Sequence, residues 1–281
     1  TPIELWRNSE YNRGCRGIDF APMKFTALTL FLTLSAEFAS DSLASHEAAV
    51  LPASMTLSSV VIPDFASYTN VQQKKLDFFS FMLPHIRAEN SKILEQREFL
   101  LHLLPEIQSD QVPDKSDLEI VAALYQRYKL PAPKVLNTSA LKELLNRVDL
   151  LPASMVLAQS ANESGWGTSR FARQANNFFG IWCFKAGCGL PPRNRDVGLT
   201  HEVAKYKSVP DGVRAYMLVL NTHKAYEPLR GIRASQRNQN HPITGEAIAK
   251  GLKPYSERGD SYVRDIQQLI RVNNLSSFTE A

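Results

Sequence analysis

One carboxylate in the middle of the chain stands far from any other charge. Between Asp149 and Arg170 the only charged side chain is that of Glu163, within the stretch AQSANESGWG. The segment before it, LLPASMVLAQSAN, has no charged residue on any face, which is typical of a buried helix. Desolvation and the negative end of the helix dipole both disfavour a carboxylate anion there. The sequence therefore predicts a raised pKa for Glu163, the property that a general acid in glycoside cleavage requires.

The residues that follow this carboxylate have the types that a sugar-binding site uses. Gly165 and Gly167 permit a close approach of the backbone to a ligand. Sugars present apolar C–H faces on which aromatic rings stack. Four such rings follow within nineteen residues of Glu163: Trp166, Phe178, Phe179 and Trp182. The pattern favours a carbohydrate site.

An alternative interpretation makes the same residues structural. Glu163 would then cap neighbouring backbone amides or pair with Arg170 or Arg173, and at least two of the four rings would belong to the core. Asn176 and Asn177 form a polar turn before FFGIW and are expected to bind backbone, substrate or both.

The elements that must position these residues are mostly helices. Pro84 is expected to kink or divide the first of them, and Asp211 is expected to cap the fifth. The segment HEVAKYKSV alternates and predicts a strand or hairpin. Apolar residues recur at helical spacing over 71–104, 117–128, 139–148, 151–164, 211–222, 245–252 and 261–272. The pattern predicts a mainly α fold with a small β or irregular lobe near residues 183–210.

The first 44 residues are predicted to be an upstream stretch followed by a signal peptide, Met23–Ala44. A basic start and a ten-residue apolar run, 25–34, precede small residues at Ser42 and Ala44. The run is too short to span a bilayer, and the alternative is an N-terminal core helix. Residues 45–68 are predicted to be a linker, and residues 69–130 a helical N-terminal region. The prediction is an exported, periplasmic protein with no stable membrane span after cleavage.

Removal of the signal peptide would leave two cysteines, Cys183 and Cys188, which are predicted to form a local disulfide. A zinc site would need further ligands at zinc spacing, so neither a metal nor a cofactor is expected.

The net charge is +4 and the basic residues are scattered among acids, which argues against nucleic-acid binding. Mild basicity suits an anionic polymer such as a cell wall. The chain contains no phosphate loop, HExxH or GxSxG motif.

The stretch AQSANESGWGTSRFARQANNFFGIWCF resembles the core motif of bacterial glucosaminidases that cleave peptidoglycan, glycoside hydrolase family 73. LLNRVDLLPASM, NTHKAYEPLR and LKPYSERGDSY extend the similarity to the Bax-type branch of Gram-negative bacteria, over roughly residues 65–275. The resemblance implies a lysozyme-like, two-lobed domain over 134–275 with the substrate in a groove. Family labels read mannosyl-glycoprotein endo-β-N-acetylglucosaminidase, sometimes with an amidase term.

The resemblance also implies site residues. Glu163 matches the family's catalytic acid, and Tyr255 matches a groove tyrosine that assists catalysis. Tyr226 matches a recurring aromatic residue and Tyr262 a tyrosine with an expected structural role. The predicted substrate contacts are Trp166, Asn177, Phe179, Trp182 and Tyr226.

The second catalytic group is less defined by the sequence. Glycosidases commonly use two carboxylates, and in the family the second lies in a variable hairpin after the aromatic motif. The corresponding region offers Asp196, Glu202 and Asp211. Glu202 is the predicted second group, because Asp211 is better explained as a helix cap. The remaining possibility is that the substrate's own N-acetyl group takes that role.

Three functions follow from these expectations. The first is a peptidoglycan endo-β-N-acetylglucosaminidase acting on glycan strands with Glu163 as general acid. The second is a lytic transglycosylase of the same superfold, although its usual GLMQ-type motif is absent and NNFFGIW stands in its place. The third is a non-catalytic wall-binding or scaffold protein, in which residues 69–130 dock a partner or cover the groove.

Overall fold

A computed structural model describes residues 61–109, 111–193 and 198–278. These residues form nine α-helices and one small sheet, which confirms the predicted mainly α fold. The helices are α1 Val71–Gln108, α2 Lys115–Arg127, α3 Thr138–Arg147, α4 Ala153–Ser164, α5 Arg170–Ala175, α6 Val209–Thr222, α7 Glu227–Asn238, α8 Gly245–Ala249 and α9 Asp260–Val272. Short 3-10 helices span Lys224–Tyr226, Lys250–Tyr255 and Leu275–Phe278. The predicted signal peptide, the linker residues 45–60 and Asp196 lie outside the described residues.

Helix α1 is continuous over 38 residues, so the prediction that Pro84 divides it was wrong. Proline removes one backbone hydrogen bond from a helix interior. Pro84 lies on the exposed face together with Ser80, whose carbonyl loses its helical partner and can bind water instead. Met82 and Ile86 continue the buried face on either side. Packing of this apolar face therefore carries the helix through the proline.

The N-terminal helical region shares its core with the rest of the described chain. Helix α1 packs against α3, α4 and α6. Phe65, which falls within the predicted linker, is fully buried in the same core, and the extent of the linker stays a prediction. Gly167, at φ +76°, leaves room for that ring: a Cβ there would lie 2.4 Å from it. No helix among the described residues has both the length and the apolar character that crossing a membrane requires.

Helix α4 is the central helix of the fold. Its residues from Ala153 through Ala161 are all buried, as the absence of charge predicted. Gly165 adopts the left-handed conformation that ends it. The prediction that Asp211 caps the helix over 211–222 was wrong. That helix, α6, begins at Val209, and the cap is Ser208, whose side chain accepts from the Asp211 backbone N–H at 3.3 Å. Helices α5 and α7 were not predicted.

The small sheet is antiparallel, with strands β1 Trp182–Cys183, β2 Gly189–Leu190 and β3 Glu202–Ala204 in the order β1-β3-β2. Trp182 pairs with Val203, and Gly189 pairs with Ala204. The predicted disulfide between Cys183 and Cys188 is confirmed, and it closes the turn between β1 and β2. This sheet is the small β lobe that the alternating segment indicated.

A buried carboxylate joins the segment between α3 and α4 to two other helices. Asp149 is only 2% exposed. It accepts two hydrogen bonds from the Arg237 guanidinium, at 2.6 and 2.5 Å, and lies 3.5 Å from Arg97 and 3.7 Å from Arg233. Burial lowers the pKa of Arg233 to about 10, and Arg233 also donates to the backbone carbonyls of Asp149 and Leu150. The cluster therefore holds in place the segment that leads into the first residue of α4.

Substitution Asp149→Asn is expected to destabilise the fold by about 3–5 kcal/mol, because it leaves the buried Arg233 without a counter-charge. Urea unfolding at neutral pH measures the loss. The matched control is Glu119→Gln, which breaks an exposed ion pair with Lys115 and is expected to cost less than about 1 kcal/mol. Equal effects of the two substitutions would contradict a role for the buried cluster.

Candidate active site

Glu163 is the second-last residue of α4, where the buried helix reaches the surface. Its side chain is half-buried. The carboxylate atom Oε1 accepts from the Tyr262 hydroxyl at 2.7 Å and from the Asn162 side-chain amide at 3.0 Å. The alternative pairing with Arg170 is not what the structure describes, because Arg170 donates to the Pro191 carbonyl at 2.6 Å.

A buried hydrogen-bond relay leads to Glu163. The Tyr216 hydroxyl donates to the Gln159 Oε1, and the Gln159 amide donates to the Tyr262 oxygen at 2.9 Å. The Tyr262 hydroxyl accepts from Gln159 and has a single proton of its own. It donates that proton to Glu163. Gln159 and Tyr216 are fully buried, so this relay is shielded from water. The relay therefore keeps a hydrogen-bond donor aimed at one carboxyl oxygen.

Burial raises the pKa of Glu163, as the sequence predicted. The hydrogen bonds from Tyr262 and Asn162 and the positive charge of Arg258 lower the pKa, but desolvation is the largest effect. Because Oε1 already accepts two hydrogen bonds, the acidic proton belongs on Oε2. That atom faces Gly180: a Cβ built there would lie 4.0 Å from it. The glycine is exposed, and among the described residues Oε2 is the one atom within 4 Å of such a Cβ, so the absence of a side chain at Gly180 leaves the space between them unfilled.

Aromatic rings pack around this carboxylate. Tyr255 stacks on Tyr262 with ring centroids 5.7 Å apart, and its hydroxyl donates to the Phe179 carbonyl at 2.5 Å. Phe179 stacks on Tyr216 at 3.9 Å. Tyr226 packs against Tyr255 at 6.1 Å. Tyr255 is thus brought to the site, and its assistance in catalysis stays a prediction.

Three predicted substrate contacts are buried in the structure, and their contact with a substrate stays a prediction. Phe179 is 1% exposed and Tyr226 is 2% exposed, so both rings are core. Asn177 is also buried, and its amide donates to the carbonyls of Ile181 and Ala204 at 2.9 Å. These bonds hold the loop that carries Gly180 against the sheet. The pattern of rings and amides in the sequence does not reveal which of them face inward.

The two tryptophans of the motif are half-buried. Trp166 has φ +59° and packs edge-on against Phe78 and Phe79 of α1, at 5.7 and 5.3 Å, with the Lys75 ammonium 5.2 Å from the ring centre. Trp182 stacks on His201 with centroids 4.0 Å apart. Contact of either ring with a substrate stays a prediction.

Glu202 has a structural role in the sheet. Its carboxylate accepts from the backbone N–H groups of Gly187 at 3.0 Å and Gly189 at 2.7 Å, inside the disulfide-closed turn. Its predicted role as second catalytic carboxylate is untested. Cys183, Cys188 and Glu202 place ligand-type atoms within 4.8 Å of one another, but the two sulfurs are joined in the disulfide.

Three residues of the site were not predicted from the sequence: Gln159, Tyr216 and Gly180. For Tyr262 only a structural role was predicted. A signal existed for Gln159, because residues four apart lie on the same face of a helix and Glu163 follows it at that spacing. The contributions of Tyr216 and Tyr262 come from α6 and α9, which only the tertiary fold brings to α4.

Comparisons with known proteins indicate the family to which this chain is similar. The Glucosaminidase family, described as mannosyl-glycoprotein endo-beta-N-acetylglucosaminidase, matches residues 138–275. The chain is also similar to Protein bax of Escherichia coli (strain K12), with 35% identity over 202 residues, covering 72% of this chain and 70% of the relative. No solved structure matches the chain. The family match supports a glycosidase-type enzyme, and it contains both Glu163 and Tyr262.

The raised pKa of Glu163 has a consequence for stability. The folded state binds the carboxyl proton more tightly than the unfolded chain does, so ionisation weakens the fold as pH rises from about 4.5, the ordinary value, through the folded pKa. Glu163→Gln removes this titration, and its amide oxygen can still accept from Tyr262. The variant is expected to gain stability relative to wild type as pH rises, by about 1.4 kcal/mol for each tenfold weakening of the acid.

Urea unfolding of both proteins between pH 4 and pH 8 measures this difference. Glu119→Gln, at an exposed surface position, provides the control and is expected to show no comparable trend. A Glu163→Gln difference that is independent of pH would contradict the raised pKa.

Proposed function

Because the chain belongs to the glucosaminidase family, we propose that it cleaves peptidoglycan glycan strands as an endo-β-N-acetylglucosaminidase with Glu163 as general acid. The observation that carries the proposal is the half-buried Glu163 carboxyl, whose Oε1 is occupied by two donors and whose pKa is raised by burial. A general acid must still be protonated near the working pH, and desolvation has that effect.

The proposed reaction begins when the glycosidic oxygen approaches Oε2 of Glu163 across the space beside Gly180. Proton transfer to that oxygen breaks the bond through an oxocarbenium-like transition state and leaves Glu163 as the anion. Water then adds to the anomeric carbon, and the proton that it gives up restores the acid. The Glu163 anion is stabilised by the Tyr262 and Asn162 donors, so the relay supports the charge that develops on Glu163. Tyr262 is therefore proposed as the residue that tunes this acid.

The partner of Glu163 is proposed to be either Glu202 or the substrate's own N-acetyl group. The Glu202 carboxylate accepts hydrogen bonds from two backbone N–H groups of the disulfide turn. Because both of its oxygens are engaged there, the N-acetyl group is favoured as the second catalytic group. Tyr255 is then proposed to help position the reacting sugar through the Phe179 loop that its hydroxyl holds.

We propose that the protein acts in the periplasm, with peptidoglycan as its partner. The confirmed disulfide supports export, because disulfides persist in oxidising compartments. No cofactor is proposed. The packing of α1 into the common core argues that residues 69–130 support the site from the side of Trp166.

The first functional prediction concerns the acid itself. Glu163→Gln is expected to lower the release of muropeptides from purified sacculi by about 10²–10⁴-fold, because the amide has no acidic proton to donate. Chromatography of the digest measures release, and circular dichroism checks that the variant is folded. Glu202→Gln is assayed in parallel; a comparable loss there would assign Glu202 as the second catalytic group.

Mass spectrometry of the wild-type products separates the related activities. A reducing N-acetylglucosamine end supports the proposed hydrolase. An anhydro-muramic end would instead show a lytic transglycosylase, and binding to sacculi without release would show a non-catalytic wall protein. Full release by Glu163→Gln would contradict the role of that residue under any of these activities.

The second functional prediction concerns pH. The Tyr262 hydroxyl stabilises the Glu163 anion and so lowers its pKa. Tyr262→Phe removes that donor, and the alkaline limb of the kcat/KM profile is expected to move to higher pH because the acid keeps its proton longer. Tyr255→Phe is the control: its hydroxyl binds the Phe179 carbonyl, so its alkaline limb is expected at the wild-type pH. An unchanged limb in Tyr262→Phe would refute the tuning.

A further inference from the structure

A cavity lined by basic side chains is formed by residues that follow Glu163 in the chain. It has a volume of about 700 Å³, which is the size of a small-ligand pocket. Three guanidinium groups line it, those of Arg170, Arg173 and Arg193, together with Thr168, Phe171 and Gln174. None of these residues belongs to the set that holds Glu163. The cavity is therefore a separate feature of the described structure.

Within the part of the chain that the structure describes, little negative charge opposes these arginines. Among the described residues, the carboxylate within ion-pair distance of them is Asp64, which lies 3.9 Å from Arg173, with both side chains at least half exposed. Such an exposed pair is weak, and an incoming anion can replace it. Arg170 is held in place by its bond to the Pro191 carbonyl and by the Phe171 ring, 4.9 Å away. The cavity thus offers at least one preorganised guanidinium and two exposed ones.

The lining suits a peptide that carries carboxylates. Guanidinium groups bind carboxylates through paired N–H donors. Thr168 and Gln174 add side chains that can bond to amide groups, and Phe171 adds an apolar wall for small aliphatic side chains.

The cavity is also close to the proposed acid along the chain. Thr168 is five residues after Glu163, so their Cα atoms are within about 18 Å of each other. The Thr168 hydroxyl donates to the carbonyl of Gly165, the residue that ends α4, at 2.7 Å. One wall of the cavity is therefore attached to the end of the helix that carries Glu163.

We propose that this arginine-lined cavity binds the carboxylates of the peptide stem on the sugar next to the cleaved bond. The inference rests on the proposed function, because peptidoglycan is the glycan in which a carboxylate-bearing peptide is attached to every second sugar. The protein then selects glycan strands that still carry their peptides over stripped strands.

The test compares two substrates: peptide-bearing strands and strands stripped of peptides by an amidase. The readout is the ratio of kcat/KM on the first to kcat/KM on the second. The double variant Arg173→Ala/Arg193→Ala is expected to lower this ratio about tenfold, the effect of losing charge-assisted hydrogen bonds. The control Arg87→Ala/Lys142→Ala removes the same charge from exposed positions elsewhere and is expected to keep the wild-type ratio. A wild-type ratio in both variants would overturn the proposal.

A binding measurement separates this proposal from the proposed function. Isothermal titration of folded Glu163→Gln protein uses three probes: free stem peptide, the same peptide with amidated carboxylates, and inorganic phosphate. Binding of the free peptide alone supports the proposal. Equal binding of the amidated peptide or of phosphate would overturn it, since the cavity would then not recognise peptide carboxylates. If the wild type cleaves neither strand, the proposed function fails, and the titration still decides whether the cavity binds stem peptides.

Discussion

Desolvation of one carboxyl group is the constraint on which the rest of this structure depends. An anion at the end of an uncharged, buried helix loses hydration and also meets the negative end of the helix dipole. Among the described residues, no basic side chain lies within ion-pair distance of Glu163, although the charge of Arg258 lowers its pKa. The fold supplies two neutral donors to Oε1 and leaves the dominant effect, burial, in place. The carboxyl is therefore held in one orientation while its pKa stays raised.

The surrounding architecture can be understood as the support for that arrangement. Helix α4 must be buried along its length for Glu163 to be desolvated, and α1, α9 and the C-terminal 3-10 helix pack against it. One buried charge of this core is that of Asp149, just before α4, where three arginines surround it. The helix thus begins next to an ion-paired carboxylate and ends at a carboxyl group that accepts hydrogen bonds from two neutral donors.

The sequence predicted the features that depend on local pattern. An uncharged thirteen-residue segment before Glu163 is sufficient to indicate a buried helix and a raised pKa, and two cysteines five positions apart are sufficient to indicate a disulfide. The direction of each aromatic ring was beyond the sequence, because Phe179 and Trp182 look equally suitable for a sugar and only one of them is buried. The continuity of α1 through Pro84 was missed for a related reason: tertiary packing outweighed a local helix breaker.

The relay from Tyr216 through Gln159 and Tyr262 fixes the order of hydrogen-bond donors and acceptors that ends at Glu163, which no single contact does. A tyrosine hydroxyl can donate one proton, and Gln159 occupies the Tyr262 oxygen as a donor. That proton is therefore directed to Glu163 Oε1, and the acidic proton is directed to Oε2. Gly180 matters for the same reason, since a side chain at that position would occupy the space in front of Oε2. The polarity of a buried amide thus determines which oxygen of a surface carboxyl can act as the acid.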